Sequence, residues 1–562
     1  MTQADALSIL KMGHTTFLTG AAGSGKSYVL REYVSYLKSH KINFAVTAST
    51  GIAGTHIGGS TIHSWSGIGI KDALNDYELD GLTEKQNLYK RWNSISVLII
   101  DEVSMLHCNF VDMLDAVAKA MRRNDEPFGG VQVIFCGDFF QLPPIVRGQF
   151  NQNEIQNIFA YTSSAWKNAK PVICYLTEQH RQGDDALTTI LNQVRKGEVD
   201  EFVWEHLELR SKAVNKHEND VSKSITKLYT HNVDVDSINN KAFDLLRAEE
   251  ETFYMQSKGS AKRVEGLKKN CLASEELRLK VGAKVMFIKN DVERKYHNGS
   301  LGVIESFDMD GFPIVKLING KTIRVHSDFW RIEEDGKVKA EINQLPLKLA
   351  WAITIHKSQG MTLDQAEIDL SKTFGFGMGY VALSRLRTIE GLFLKGIHAG
   401  SLAVDEQILK DDKLFRDKSD QAENALKKYK EEDLKKMFDK FIKKADGNLE
   451  ELSIDEVEEI EKKESTINVT KTFLLEKKSI KEIAKLREFS EDTIIGHIEK
   501  LIEAGEKIDI EHLLPSKKET KKIIDTFKKL ETRKLTPVFD ELVKQKCRSD
   551  YQILRIVRAS ME

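Results

Sequence analysis

A glycine-rich segment near the N-terminus has the residue types and spacing that bind a nucleoside triphosphate. Residues 20–27 read Gly-Ala-Ala-Gly-Ser-Gly-Lys-Ser and match the pattern G-x-x-x-x-G-K-[ST]. An apolar run precedes this segment and a helical run follows it, so backbone N–H groups and the positive end of the helix would surround the phosphates. We expect Lys26 to reach the β- and γ-phosphates and Ser27 to bind Mg²⁺. The predicted nucleotide-binding residues of this loop are Gly20, Ala21, Ala22, Gly23, Ser24, Gly25, Lys26 and Ser27.

Two adjacent carboxylates supply the chemistry that such a loop requires. The apolar run 97–100 reads Val-Leu-Ile-Ile and is followed at once by Asp101 and Glu102. A buried parallel strand that ends in two acids would deliver both to the phosphate edge of the sheet. We predict that Asp101 binds Mg²⁺ and that Glu102 orients and deprotonates the attacking water. The chain is therefore predicted to hydrolyse a nucleoside triphosphate.

A third polar group follows the next predicted strand. Residues 137–144 read Gly-Asp-Phe-Phe-Gln-Leu-Pro-Pro, directly after the run 131–135. An amide at Gln141 can touch the γ-phosphate and respond to its loss, although the spacing alone fits a buried glutamine in a turn equally well. Phosphate-loop proteins include kinases, GTPases, transporters and motors, so these residues leave the class of triphosphatase open.

Length and composition limit the protein class. The 562 residues predict three to five folding units, and 41% hydrophobic with 30% charged residues is typical of a soluble globular protein. The 83 basic and 85 acidic side chains give a net charge of −2, which excludes a uniformly basic nucleic-acid coat but allows a basic channel. Five scattered cysteines, without C-x-x-C spacing, indicate neither a disulfide framework nor a zinc site.

The pattern along the chain predicts several units. Short β-branched runs alternate with helical stretches over about 400 residues, which is typical of α/β folds with parallel sheets. Short strands broken by glycine or asparagine at about 277–343 predict an inserted antiparallel β-barrel. Residues 401–464 are rich in Lys, Asp and Glu and are predicted to form a charged helical connector. Residues 465–562 read as helical. We expect no membrane span, because no apolar run is long enough, and no signal peptide.

Together these motifs resemble those of the Pif-type DNA helicases, superfamily-one 5′→3′ motors related to the RecD helicases. The segment 137–144 resembles motif III of that family, and Leu176-Thr-Glu-Gln-His-Arg-Gln resembles motif IV. Residues 345–360, which end in His-Lys-Ser-Gln-Gly, resemble motif V, and Tyr380-Val-Ala-Leu-Ser-Arg resembles motif VI. The similarity runs in the family's order from residue 1 to about 398.

The resemblance implies two RecA-like lobes with ATP between them. It assigns 1–170 to the first lobe, with a small wedge insertion at about 66–93, and 171–400 to the second lobe, which contains the barrel. Gln3 resembles the adenine-reading Q motif. The implied catalytic residues are Lys26, Asp101, Glu102, Gln141, Arg181 and Arg385. An arginine that reaches the γ-phosphate only when the lobes close would couple hydrolysis to movement.

The resemblance also implies a track for single-stranded DNA across both lobes. Such a track grips phosphates with hydroxyls, backbone N–H groups and cations, and stacks bases on flat side chains. Each of these side chains is also compatible with a structural or solvated role. The implied strand contacts are Thr50, Gly51, Thr61, His63, His356, Lys357 and Gln359.

The C-terminal segment carries helix-turn-helix spacing. Ile480, Ile483 and Ala484 form one apolar helix face, and Ile494 and Ile498 lie on the next helix beyond a turn at 489–490. The segment resembles the C-terminal helix-turn-helix of some RecQ-type helicases. Acidic residues on the second helix make base readout doubtful, so contact with a protein, internal packing and DNA contact through basic residues 517–522 remain alternatives.

The leading interpretation is an ATP-dependent 5′→3′ DNA helicase acting in replication, repair or recombination, expected to be a monomer. Its expected partners are single-stranded DNA and forked or 5′-tailed duplex, together with a protein partner at 465–562. It would lie in the cytoplasm at the nucleoid if bacterial and in the nucleus if eukaryotic. The alternatives are a single-strand translocase that unwinds little and a nucleotide-switched scaffold.

Overall fold

The computed structural model describes residues 1–50, 60–69, 71–144, 158–178, 185–213, 225–261, 264–265, 268, 273–289, 291, 295–296, 299–308, 311–317, 320–334, 337–453, 456, 466–487, 489, 491–503, 508–530, 532, 535–545 and 550–561. The chain divides into two compact units, Met1–Glu450 and Glu451–Glu562. None of the described helices combines the length and apolarity that crossing a bilayer requires.

The first lobe is built on a six-stranded parallel sheet with strand order β3-β2-β4-β5-β1-β6. All five residues of β1 and of β5 are buried, because helices cover both faces of the sheet. The predicted apolar runs 97–100 and 131–135 are confirmed as strands to within one residue. The sheet also includes residues 172–176, so the first lobe extends past the predicted boundary at residue 170. The strands are β1 (Thr16–Gly20), β2 (Phe44–Ala48), β3 (Ser60–Thr61), β4 (Val97–Asp101), β5 (Gln132–Cys136) and β6 (Val172–Leu176).

The helices of this lobe bury their apolar sides on the two faces of the sheet. Leu10 and Leu30 pack on one face, while Trp92 and Leu114 pack on the other. The predicted wedge segment contains α4 and α5. The helices are α1 (Gln3–Lys11), α2 (Lys26–Ser39), α3 (Ile62–Ser66), α4 (Asp76–Thr83), α5 (Gln86–Ser94), α6 (Cys108–Arg122) and α7 (Ser164–Ala169). Short 3₁₀ helices span Val103–Met105, Pro127–Gly130 and Ala160–Thr162.

After the first sheet, the chain forms α8 (Asp185–Lys196), α9 (Glu201–Ser211), β7 (Thr226–Tyr229) and α10 (Asn232–Asp244), and then an antiparallel insertion. The insertion comprises three sheets with orders β10-β8, β14-β13-β12-β11-β17 and β15-β16-β9. Its strands are β8 (Glu250–Tyr254), β9 (Gln256–Gly259), β10 (Glu276–Lys280), β11 (Lys284–Phe287), β12 (Leu301–Phe307), β13 (Pro313–Leu317), β14 (Thr322–Arg324), β15 (Asp328–Glu334), β16 (Lys337–Gln344) and β17 (Leu347–Leu349). The insertion therefore begins earlier than the predicted residue 277.

The second lobe has a four-stranded parallel sheet with order β18-β7-β19-β20. Its remaining strands are β18 (Ala352–Thr354), β19 (Ala366–Leu370) and β20 (Leu392–Ile397). The helices that follow β18 and β19 are α11 (Ile355–Ser358) and α12 (Met378–Ser384), and 3₁₀ helices span Ile389–Gly391 and Ala399–Leu402. One continuous apolar core joins this sheet to the first lobe.

Two helices follow the second sheet and pack on the first lobe. They are α13 (Glu406–Leu426) and α14 (Glu431–Lys444). Phe415 packs edge-on against Phe17 of β1, and Leu426, Phe441 and Ile442 are buried against α1 and α2. The sequence predicted that this charged segment is a solvated connector. The structure differs, because the few apolar residues of the segment are buried against the first lobe.

The second unit, described by itself, contains helices joined by short non-helical segments, and its described residues include no strand. Its helices are α15 (Thr466–Leu475), α16 (Ile480–Arg487), α17 (Glu491–Glu503), α18 (Lys517–Lys529), α19 (Leu535–Lys544) and α20 (Tyr551–Ala559), with a 3₁₀ helix at Glu511–Leu513. The predicted apolar faces of α16 and α17 are confirmed: Ile483, Ile494 and Ile498 are fully buried in one cluster. The predicted turn residue Ser490 lies outside the described residues.

Candidate active site

The phosphate loop runs from the end of β1 to the start of α2. Gly25 is the N-cap residue of α2 and has φ +89°, a left-handed conformation that favours glycine. A Cβ atom on Gly25 would lie 2.0 Å from Nε2 of Gln3. The loop therefore requires glycine at this position both for its backbone and for the close approach of α1.

The polar side chains of the loop are arranged around its own backbone. Lys26 Nζ donates hydrogen bonds to the carbonyl oxygens of Gly20 (2.8 Å) and Ala21 (2.9 Å). Ser24 is buried and its Oγ has no hydrogen-bond partner among the described residues, while Ser27 is exposed. The ammonium group and the N-terminal end of α2 thus lie where phosphate oxygens would bind.

Gln3 lies beside the loop, as the Q-motif resemblance implies. It is the first residue of α1, and its Nε2 donates to the Ser24 carbonyl oxygen at 3.2 Å. Its backbone N–H donates to the Glu178 carboxylate at 3.0 Å. The side chain is therefore in position to sense the occupant of the loop.

The two predicted carboxylates lie at the carboxyl end of β4. Asp101 is the last residue of β4, and its Oδ1 accepts the backbone N–H of Glu102 at 2.8 Å. Glu102 has φ +52° and ψ +44°, a left-handed conformation that is strained for a residue with a side chain. Burial, followed by the charge of Asp101, raises the pKa of Glu102 to about 7. A carboxyl group with that pKa suits general-base catalysis near neutral pH.

Gln141 and Gln359 meet Glu102 at the junction of the lobes. Gln359 Nε2 donates to Glu102 Oε2 at 3.0 Å and to Gln141 Oε1 at 3.3 Å. Gln141 and Gln359 are 6% and 3% exposed. The structure thus brings Gln359, which the sequence assigned to the DNA track, into contact with the predicted base and sensor.

Arg385 approaches the same centre from the second lobe. It directly follows α12 and is buried, with hydrogen bonds to Val381 O (3.0 Å), Met361 O (3.3 Å) and Ser384 Oγ (2.8 Å). The positive charges of Arg385 and Lys26 act to lower the pKa of Glu102, against the larger effect of burial. Arg385 therefore lies close enough to influence the hydrolytic centre electrostatically. Arg181, the other predicted arginine, lies outside the described residues.

A buried polar network at the lobe junction was missed by the sequence analysis. Tyr380 OH accepts the Ala22 N–H of the phosphate loop at 3.1 Å and donates to Asp138 Oδ2 at 3.2 Å. Arg195 of α8 donates to both carboxylate oxygens of Asp138 at 2.6 Å and lies over the ring of Phe140. Tyr380 and Asp138 stand inside motifs VI and III, so the motifs themselves were the available signal.

The DNA contacts predicted in the first lobe lie after β2, in β3 and in α3. Thr61 caps α3 by accepting the Ser64 N–H at 3.4 Å. The His63 ring lies 4.3 Å from the Phe110 ring, and burial lowers its pKa, which favours the neutral imidazole. Thr50 is described at the end of β2, whereas Gly51 lies outside the described residues.

The DNA contacts His356 and Lys357, predicted in the second lobe, lie on α11. His356 and Lys357 are half-buried, and burial lowers the pKa of both side chains. The His356 ring is nearly parallel to that of Phe374, which is 65% exposed and also contacts His231. An exposed aromatic ring beside two imidazoles is suited to stacking a base, and the sequence analysis did not single it out.

Comparisons with known proteins identify the family. Residues 3–220 match the family described as PIF1-like helicase, 264–307 match the DNA helicase Pif1 2B domain, and 466–558 match a helix-turn-helix domain. The chain is 42% identical to the ATP-dependent DNA helicase Pif1 of Psychrobacter sp. (strain PRwf-1), over 92% of this chain and 89% of that protein. The chain belongs to the PIF1-like helicase family.

Other members of the PIF1-like helicase family agree with this assignment. The chain is 37% identical to human ATP-dependent DNA helicase PIF1, over 72% of this chain and 62% of that protein. The structure of Pif1 helicase from Candida albicans matches with a TM-score of 0.68 and 33% identity, over 73% of this chain and 98% of that one. The structure of Pif1 helicase from Bacteroides in complex with ADP-AlF3 and ssDNA matches with a TM-score of 0.59 and 31% identity. The match covers 74% of this chain and 96% of that one.

These comparisons confirm the α/β fold, the Pif-type resemblance and the C-terminal helix-turn-helix. The resemblance of that last segment to RecQ-type helicases stays a prediction, as do the domain boundaries and the roles of individual residues.

Proposed function

We propose that this chain is an ATP-dependent DNA helicase that moves 5′→3′ along single-stranded DNA and separates duplex ahead of it. Relatives that cover most of the chain are ATP-dependent DNA helicases. A Bacteroides neighbour is described bound to ssDNA, and another structure concerns DNA unwinding at forked dsDNA by two coordinating Pif1 helicases. Replication, repair or recombination would be its setting, at the nucleoid in a bacterium or in the nucleus of a eukaryote.

The observation that carries this proposal is that the groups proposed for catalysis in the first lobe contact side chains of the second lobe. Glu102 and the phosphate loop belong to the first lobe. The Glu102 carboxylate accepts a hydrogen bond from Gln359 of the second lobe. The backbone N–H of Ala22 in the loop donates a hydrogen bond to Tyr380 of the second lobe. Hydrolysis at such a junction is sensitive to the separation of the lobes. A change in that separation is what moves a motor along its track.

The chemistry follows from the placement of each group. Lys26 would bind the β- and γ-phosphates, and Glu102 would accept a proton from the attacking water. Arg385, always charged, would stabilise the negative charge on the transferred phosphoryl group, a contribution of about 10³–10⁵ in rate. Arg181 is proposed as a second arginine, and Gln141 as the group that responds to loss of the γ-phosphate.

The donor set fits Mg²⁺. Mg²⁺ prefers oxygen ligands and is usually held by one or two protein side chains together with substrate phosphates. Ser27 is exposed at the start of α2, and Asp101 is the last residue of β4, a parallel strand of the same sheet as β1. Ser27 and Asp101 would hold the ion, which would neutralise charge on the phosphates.

Single-stranded DNA would cross both lobes. We propose Thr50, Gly51, Thr61 and His63 as contacts from the first lobe, and His356 and Lys357 from the second, with Phe374 as a stacking surface. A monomer would suffice for this arrangement.

The C-terminal unit is proposed as a surface for a protein partner or for DNA phosphates. Glu499 pairs with Arg555 (2.5 Å) and Arg558 (3.3 Å) of α20. Because these arginines neutralise the charge of Glu499, this residue would repel DNA phosphates less than the sequence suggested. Lys517, Lys518 and Lys521 are exposed on α18 and offer the basic alternative.

The test is ATP hydrolysis with single-stranded DNA, single-stranded RNA, blunt duplex or no nucleic acid. We expect strong stimulation by single-stranded DNA alone. Lys26→Ala, which lacks the ammonium group that binds the phosphates, is the blank. Turnover that is indifferent to every nucleic acid would favour the nucleotide-switched scaffold instead.

A further inference from the structure

The side chain of Gln359 has an environment that a strand contact does not need. It is 3% exposed, and its Nε2 donates simultaneously to Glu102 Oε2 and Gln141 Oε1. A side chain that grips a passing DNA strand must reach the surface of the groove. The amide of Gln359 instead lies at the predicted hydrolytic centre.

The chemistry of its partners fixes the orientation of this amide. A glutamate carboxylate can only accept, and Gln141 presents its oxygen, so the nitrogen of Gln359 must face both. The Oε1 of Gln359 is then buried without a hydrogen-bond partner among the described residues. This acceptor remains available to a donor that enters with the substrate.

Gln359 also connects this centre to the predicted track. It directly follows α11, which carries His356 and Lys357, and its backbone N–H donates to the His356 carbonyl oxygen. Glu102 and Gln141 belong to the first lobe, whereas α11 belongs to the second. A displacement of α11 therefore moves the donor relative to the base.

Among the described residues, Gln359 is the side chain that donates a hydrogen bond to the Glu102 carboxylate. Glu102 stands in a left-handed backbone conformation at the end of β4. A hydrogen bond to an ionised acceptor is stronger and more directional than a neutral one. The Gln359 amide is thus suited to fix the direction in which the carboxylate points.

We propose that Gln359 is a positioning residue of the hydrolytic centre: it aligns Glu102 with Gln141 across the lobes and transmits strand binding at α11 to ATP hydrolysis. This inference rests on the proposed function, because it assigns DNA to α11. It replaces the assignment of Gln359 as a strand contact.

The experiment compares Gln359→Leu and Gln359→Met with the wild-type full chain. Leu and Met both remove the polar atoms, and Met keeps the length of the side chain without adding a charge beside Glu102. The matched control is Gln365→Leu, at an exposed glutamine of the same lobe. The measurements are kcat and KM for ATP with and without saturating oligothymidylate, and the equilibrium Kd for labelled oligothymidylate.

We expect both Gln359 variants to lower the DNA-stimulated kcat about ten- to a hundred-fold, which corresponds to the free energy that a hydrogen bond to a charged group typically contributes. KM for ATP and Kd for the oligonucleotide should stay close to the wild-type values. Gln365→Leu should match the wild type in all three.

Two results would overturn the inference. A weakened Kd with kcat preserved at saturating oligonucleotide would make Gln359 a strand contact, as the sequence suggested. Wild-type kcat in Gln359→Met would show that the donated hydrogen bond is dispensable, even if Gln359→Leu were unstable. If wild-type hydrolysis were not stimulated by DNA, the proposed function would fail separately, and the DNA-independent kcat of the variants would still decide whether Gln359 aligns the base.

Discussion

Glu102 is the residue whose electrostatics bear most directly on turnover. Burial and the neighbouring Asp101 charge raise its pKa to about 7, and only the ionised form can take a proton. The pH dependence of kcat/KM reports the free enzyme. We therefore expect kcat/KM for ATP hydrolysis, measured between about pH 5.5 and about pH 8.5, to rise with pH up to about 7 and then level off.

The substitution Glu102→Gln tests the same assignment. An amide of similar size can still accept hydrogen bonds but cannot remove a proton, so ATP binding should persist while hydrolysis falls by about 10²–10⁴. Nucleotide affinity, measured by equilibrium titration, separates the two effects. Turnover retained in this variant, or a kcat/KM that is flat across neutral pH, would remove Glu102 from the role of base.

Individual residues also show where sequence reasoning is strong and where it ends. The phosphate loop was predictable because its glycines act on their own backbone within eight consecutive residues. Gln359 was misassigned to the track because its partners, Glu102 and Gln141, are more than 200 positions away along the chain. Only the packing of one lobe on the other creates that contact, and no local pattern encodes it.

Among the helices, α8 is attached to the first lobe by a buried ion pair. Arg195 is 5% and Asp138 0% exposed in their side chains, and the two are 2.6 Å apart. Removing one partner of such a pair leaves an uncompensated buried charge, which typically costs about 3–5 kcal/mol. We expect Arg195→Met to lower the free energy of unfolding by about that amount, measured by urea denaturation.

The matched control for α8 is an exposed pair on α9 and its C-cap. Lys212 and Glu208 are also 2.6 Å apart but are 69% and 67% exposed, so Lys212→Met should cost less than about 1 kcal/mol. Similar losses in the two variants would contradict the view that Arg195 anchors α8 through Asp138.

Element boundaries were predictable only where burial leaves a pattern. In the first sheet, the buried apolar runs 97–100 and 131–135 were located to within one residue of β4 and β5. All four residues of β9, Gln-Ser-Lys-Gly, are exposed, so nothing in its hydropathy marks it as a strand. The charged segment 401–464 shows the opposite error, because residues that the sequence predicted to be solvated are buried. Its few buried residues, such as Phe415 and Leu426, are outnumbered by solvated ones and leave no clear apolar pattern.

At the scale of the whole molecule, the division into two units has a direct consequence. The described residues that we propose for catalysis all lie within Met1–Glu450, and the helix-turn-helix unit has cores of its own. We expect a chain ending at residue 450 to keep its ATPase activity without nucleic acid. The measurement is hydrolysis by the truncated and full-length chains at equal concentration. Loss of hydrolysis in a truncated chain that still binds ATP would mean that the second unit supports the active centre.

Directional movement is the property that separates a helicase of this family from a switch. A DNA strand has chemically different ends, and the two lobes of one chain are not equivalent. A strand bound across α3 and α11 therefore lies in one orientation, and each cycle of closure advances it in one direction. We expect the protein to separate a duplex with a 5′ single-stranded tail and not one with a 3′ tail of the same sequence.

The measurement is strand separation of the two tailed substrates, monitored by fluorescence. A blunt duplex and the Lys26→Ala variant serve as blanks. Equal activity on both tails would contradict the polarity, because it would require the lobes to bind a strand in either direction. Stimulated hydrolysis without separation of either substrate would instead indicate a translocase, since the lobes would then advance along one strand without the wedge region, 66–93, opening the duplex. The two results differ in which part of the molecule they implicate: the asymmetry of the lobes in the first case, and α4 and α5 in the second.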